Sequence, residues 1–141
     1  MGCERLSSQD ICACTRKDLI LSTSRSRVGR SAEIAAAAEL GRLGYRILAS
    51  NYRRRVGEID FVAEENDQLV FIEVRCKRTS TFGSPAESVT PTKQSRLAAA
   101  AQCYLEEYGI KNKECRFDVV EVIFADGKLL VKDVIRDAFS V

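Results

Sequence analysis

Histidine and tryptophan are absent from this chain, methionine occurs once and proline twice. The missing histidine excludes imidazole from any metal site. No apolar run approaches the roughly 18–20 residues that span a bilayer, and the first residues lack the apolar core of a signal peptide. A soluble, cytoplasmic protein with no membrane partner is therefore expected. Charge of one sign is also scarce in excess: the net charge is +2, so nucleic-acid binding is not announced globally and has to rest on local clusters. Such clusters occur at Arg53-Arg54-Arg55, Arg75 to Arg78 and Lys93 to Arg96, although each alone also reads as ordinary solvated surface.

At 141 residues, 45% of them hydrophobic, the chain can fill one core. Residues 1–28 mix Ser, Thr, Arg and Cys around one short apolar patch and are expected to be a mobile N-terminal extension, with at most a short helix from Ile11 to Leu21; residues 29–141 form the domain. Six cysteines without an export signal point to thiols rather than disulfides. Cys76 and Cys103 look like small buried hydrophobes. Cys3, Cys12 and Cys14 lack the usual zinc spacing and a fourth ligand.

The most informative stretch is Gly57 to Lys77, GEIDFVAEENDQLVFIEVRCK. Two runs rich in Val, Ile and Phe alternate on either side of Asn66-Asp67 and predict a β-hairpin. An even-length loop centred on that pair sets Asp60 opposite Glu73, Glu58 opposite Arg75, Val62 opposite Phe71 and Val56 opposite Lys77. The other face, Ile59, Phe61, Ala63, Val70, Ile72, Val74 and Cys76, is wholly apolar and is expected to be core. Carboxylates opposed across a strand pair stand about 4.5–5.5 Å apart at Cβ and repel. A cation between them removes the penalty, and hard carboxylate ligands without histidine favour Mg²⁺ or Mn²⁺. The alternative is a solvated polar face on which Arg75 and Lys77 neutralise the acids.

Before the hairpin, Ser31 is a predicted cap for a helix running to about Leu43 and stopped by Gly44, with Glu33 favoured in its first turn by the dipole. A strand over Tyr45 to Tyr52 follows, and Gly57 is expected to permit a bulge or a close backbone approach. After the hairpin, Arg78 to Pro85 reads as a loop. Thr90-Pro91 then starts a helix that Gly109 ends. Lys93, Gln94 and Arg96 lie in its first turns, where an anion is favoured. Two strands, Arg116 to Phe124 and Lys128 to Val134, flank the turn at Asp126-Gly127. The order α-β-β-β-α-β-β describes an α/β fold with a mixed central β-sheet flanked by helices.

The phrases GRSAEIAAAAELGRLGYRILASNYRRRVGEIDFVAEE, QLVFIEVRCKRTSTFGSPAESVTPTKQSRL and RFDVVEV together resemble the YraN family of nuclease-like proteins within the PD-(D/E)XK superfamily. The resemblance spans Gly29 to about Phe139. It implies a restriction-endonuclease-like fold similar to Holliday-junction resolvases. It also implies that Asp60 and Glu73 are metal ligands, that Glu33 is a further acid at the metal, and that Mg²⁺ or Mn²⁺ is the cofactor. Arg75 occupies the motif's lysine position; a guanidinium stays protonated and cannot serve as a base, so Lys77 on the same strand face could substitute for it. Arg53, Arg54, Arg55, Arg78, Lys93, Gln94 and Arg96 would contact nucleic acid, DNA in the first instance, and a homodimer would suit a resolvase-like activity. Three functions follow as expectations: a metal-dependent nuclease acting on DNA, including branched DNA; a nucleic-acid binder that keeps the fold without cleaving; and an interaction domain with a vestigial acidic face.

Overall fold

The computed structural model describes residues 27–77 and 89–140. Of the extension expected over residues 1–28, only Arg27 and Val28 are described, and they open a helix; the rest of it, with its short helix and cysteines, and the loop from Arg78 to Pro85 lie outside the described residues. Seven elements follow one another: α1 (Arg27–Arg42), β1 (Arg46–Arg54), β2 (Gly57–Glu65), β3 (Gln68–Lys77), α2 (Pro91–Glu107), β4 (Cys115–Ala125) and β5 (Lys128–Phe139). The strands form one five-stranded sheet in the order β1-β2-β3-β4-β5. Its β3–β4 pair is parallel and the other pairs are antiparallel. The expected mixed sheet flanked by helices is present. The long connection carrying α2 is what permits the parallel pair, because a tight turn can only reverse a strand.

Two of the three hairpin turns, β2–β3 and β4–β5, use left-handed backbone at two successive residues, Asn66 (φ 50°) with Asp67 (φ 66°), and Asp126 (φ 52°) with Gly127 (φ 73°). That is the conformation of a primed two-residue turn, and Asn and Asp tolerate it better than bulkier residues. The turn at Asn66-Asp67 sets the β2–β3 register foreseen from its even length, with Val62 opposite Phe71 and Phe61 opposite Ile72.

Each sheet face carries its own core. On one face Val62, Phe71, Phe117 and Val119 pack under Leu97, Ala100, Ala101 and Tyr104 of α2. On the other, Phe61, Ala63, Val70, Ile72, Val120 and Val122 pack under Ala32, Ala36 and Leu40 of α1, spaced four apart on one helical stripe. Burial of each large side chain in these layers contributes about 1.5–3 kcal/mol before entropy is subtracted.

Several expectations need correction, among them the pairs Asp60–Glu73, Glu58–Arg75 and Val56–Lys77, since the β2–β3 ladder ends at Phe61–Ile72. Ile59 packs with Tyr52, Val62 and Leu97 rather than with Phe61 and Ala63, because β2 changes its facing near Asp60. Cys76 is exposed, since the end of β3 runs past the stripe of α1 and even Val74 there is only partly buried. α1 begins at Arg27, ahead of Ser31, so Glu33 lies in its second turn, beyond the reach of the terminal dipole. β5 continues to Phe139, whose ring stacks on Phe117 at 5.1 Å, with one ladder irregularity between Val131 and Asp133 and another between Ile135 and Phe139.

Candidate functional site at the fork between two strands

Strands β2 and β3 do not stay together. Their ladder extends from Glu65–Gln68 to Phe61–Ile72. Beyond that point β2 continues along β1, with Ile59 opposite Tyr52 and Gly57 opposite Arg54, while β3 continues along β4, with Glu73 opposite Val119 and Lys77 opposite Ile123. The sheet therefore forks where Asp60 and Glu73 would have met as the next pair.

Asp60 closes the fork at its apex. The Val74 amide donates to Asp60 Oδ2 at 2.8 Å, so a side chain satisfies a backbone group that has no strand partner there. Asp60 is 6% exposed and Glu73 5%. These values exclude the solvated polar face, because carboxylates are seldom buried unless they are paired.

Glu73 has its counter-charges. Lys93 Nζ lies 3.1 Å and Arg75 Nη1 3.5 Å from the same oxygen, Oε2. Lys93 reaches it from the first turn of α2, where the Thr90 hydroxyl caps the Lys93 amide at 3.2 Å and Pro91 opens the helix. The close seating of α2 depends on Gly57: a Cβ there would stand 2.2 Å from the Arg96 carbonyl oxygen. Beside this contact is an open cavity of about 220 Å³ lined by Glu58, Thr90, Thr92, Lys93, Arg96 and Leu97.

Further along β3, Lys77 Nζ lies 3.6 Å from Glu121 Oε2. Glu121 is 3% exposed and stands opposite Arg75 on the parallel neighbour. It was not singled out in the sequence. The available signal was an acid inside RFDVVEVIF, a run that otherwise reads as a strand buried on both faces.

The remaining expected site residues divide between layers. Glu33 is buried on α1, and α1 packs on the opposite face of the sheet from α2. Among the described residues no three of Asp, Glu and Cys are gathered as a group able to hold a metal ion. Arg53 pairs with Glu58, and its Nη2 donates to Asn51 at 2.9 Å. Arg54 pairs with Glu107 at 2.6 Å and lies 4.1 Å over the Tyr52 ring. The Gln94 side chain donates to the Val89 carbonyl at 2.9 Å, tightening the start of α2. Arg55 and Arg96 are exposed. Arg78 lies outside the described residues.

A second buried polar cluster lies elsewhere on the sheet and is internally satisfied. Asp118 accepts from Tyr45 Oη at 2.7 Å, Arg116 Nε at 2.9 Å and the Asp137 amide at 2.9 Å. Burial first, then the Asp118 carboxylate, pushes the Tyr45 hydroxyl well above its usual range. The Arg136 guanidinium, assisted by Arg116 against the opposing effect of burial, holds the Glu65 carboxyl below its usual range. These contacts tie β2, β4 and β5 together and fasten the sheet.

No helix among the described residues is long and apolar enough to cross a membrane. Residues 32–122 match the family model described as Uncharacterised protein family UPF0102. A UPF0102 protein from Moorella thermoacetica is 45% identical over 120 residues, covering 84% of this chain and all of the relative. A UPF0102 protein from Symbiobacterium thermophilum is 48% identical over 114 residues, covering 80% of this chain and 96% of the relative. One from Nitrosococcus oceani is 46% identical over 114 residues, with 80% and 91% covered. The matched span runs from the buried stripe of α1 to the end of the β4 core and takes in Asp60, Glu73, Lys93 and Glu121, so the chain that builds this fork belongs to the UPF0102, or YraN, family.

Proposed function

We propose that the fork is the active site of a metal-dependent nuclease of the PD-(D/E)XK type that hydrolyses phosphodiester bonds in DNA. The observation that carries this reading is the burial of two carboxylates, Asp60 and Glu73, where the sheet opens, next to the basic first turn of α2. A folded core gains little from such acids, and buried, charge-compensated carboxylates beside a cleft are where catalytic chemistry concentrates. Their oxygens fit Mg²⁺ or Mn²⁺, which prefer hard oxygen ligands. Such an ion, bound to Asp60 and Glu73, would supply an activated water and a polarised phosphoryl oxygen.

The chain's own residues have separable parts to play. Asp60 is held in place by the Val74 amide and so presents its carboxylate in a fixed orientation. The Arg75 guanidinium would stabilise charge that develops on the phosphoryl oxygens. Glu121 holds Lys77 at the open end of β3. The exposed Arg55 and Arg96 would set the backbone of the nucleic acid across the cleft, contacts that position without reading sequence.

A second reading is favoured by one specific observation. Glu73 is already neutralised by Lys93 and Arg75, as would suit a protein that binds nucleic acid and no longer cuts it. Cleavage assays on single-stranded, duplex, flap and four-way-junction DNA with Mn²⁺ or Mg²⁺ separate the two. Cutting that is lost in both Asp60→Asn and Glu73→Gln supports the nuclease. Salt-sensitive binding without cutting supports the silent binder, and absence of both leaves an interaction domain.

A further inference from the structure

We infer that Lys93 is an exchangeable internal counter-ion of Glu73, displaced when a divalent cation binds and released to contact phosphate. This inference rests on the metal-dependent reading above and deepens it. Two cations meet one oxygen, Glu73 Oε2, and they differ in how firmly they are rooted. Arg75 is two residues from Glu73 on the same strand, and β4 pairs with that stretch throughout. Its position relative to Glu73 is set by the sheet itself.

Lys93 reaches across from another element on a flexible four-carbon stem. Its side chain is 42% exposed, against 6% for Glu73. It also has somewhere to go, because the cavity beside it opens between Thr90, Thr92 and Arg96. There the positive end of the α2 dipole and the Arg96 charge favour an anion, with the Glu58 carboxylate on the rim opposing them. A divalent ion on Glu73 therefore repels both cations, and Lys93, the more exposed of the two and reaching in from another element, is the one with an open cavity beside it. The evicted amine moves toward the position where a phosphate would lie.

Two consequences follow. Without metal, Glu73 stays compensated and the fold does not carry an unpaired buried charge. With metal, a phosphate-binding cation appears that was previously occupied, so metal and DNA backbone assist each other's binding, as reciprocal linkage requires.

The test uses Mn²⁺ alone as probe. Mn²⁺ binding is measured by calorimetry in the wild type, Lys93→Met, Lys93→Gln and Glu73→Gln. The acylation rate of Lys93 in the wild type is followed by mass spectrometry with and without saturating Mn²⁺. Removing one partly exposed competing charge is expected to tighten Mn²⁺ binding roughly fivefold in both Lys93 variants. Glu73→Gln is expected to abolish binding, and Mn²⁺ to accelerate Lys93 acylation several-fold. Unchanged Mn²⁺ affinity in both Lys93 variants, with unchanged acylation, overturns the counter-ion role while the metal site stands. No Mn²⁺ binding in any of the proteins overturns the metal reading and the inference together.

Discussion

The Val74 amide donates to Asp60 Oδ2 at 2.8 Å, so the acid proposed to hold metal also closes the strand fork. These two roles have opposite sensitivities to substitution. Asp60→Ala removes the acceptor and leaves a partly buried N–H unpaired, at a cost of about 1–3 kcal/mol. Asp60→Asn keeps an acceptor oxygen and loses only the charge, so urea unfolding should show little or no destabilisation. A nuclease would nonetheless lose its activity in both. Equal destabilisation by Asn and Ala would mean that the charge of Asp60, rather than its hydrogen bond, maintains the fork.

Gly57 owes its place to the approach of α2. Its Cβ-less backbone faces the Arg96 carbonyl, and an added Cβ would lie 2.2 Å from that oxygen. The obstruction is backbone, which cannot rotate away. Gly57→Ala should therefore destabilise by about 1–3 kcal/mol through overpacking. It should also shift the first turn of α2, and with it Lys93, away from Glu73. Denaturant midpoints measure the first effect. A rise in Lys93 acylation at neutral pH measures the second, and an unaltered midpoint would contradict the close packing.

Glu65 provides the acid limb of the stability profile. Its carboxyl is held below the usual range chiefly by its hydrogen bond to Arg136, with burial opposing and Arg116 adding to the effect. A depressed folded-state value means that the contribution is fully present above the unfolded value of about 4.3. It is lost as pH falls through the folded value. The difference in unfolding free energy between wild type and Glu65→Gln should accordingly be constant from neutral pH to about 5 and shrink at lower pH. A difference that grows on acidification would reverse the assignment.

Much of this arrangement was legible in the residues, and the exceptions have physical causes. The register of β2 on β3 follows from loop parity alone, because a strand repeats every two residues and a turn centred on Asn66-Asp67 admits one alignment. The start and stop of α2 were equally local, with Thr90, Pro91 and Gly109 each acting through its own backbone. The fork was not local. Whether the ladder continues past Phe61–Ile72 depends on β1 and β4 drawing the two strands apart, and no period in Gly57 to Lys77 encodes their pull. Ile59 changed core for that reason. The contact of Lys93 with Glu73 joins elements separated by a long connection, and its sequence signal, a lysine in a first helical turn, equally describes a solvated face. Glu121 stood in plain view as an acid within an apolar strand; its significance emerges only through Lys77 on the parallel neighbour.

The basic residues flanking the fork should separate into two groups when DNA binding is measured against salt. Arg53 and Arg54 are engaged by Glu58 and Glu107, and Arg54 also covers the Tyr52 ring. Replacing Arg54 with Gln strips the compensating charge from Glu107, whose side chain is only 18% exposed, and should cost about 2 kcal/mol of stability. Arg55 and Arg96 are exposed, so Arg55→Gln and Arg96→Gln should leave stability within about 0.5 kcal/mol of wild type. Each phosphate contact that they make should appear as a fall of about one in the slope of log affinity against log salt. Slopes unchanged by both exposed variants, with affinity lost only in the destabilised Arg54→Gln, would place the nucleic acid on a different surface from the fork.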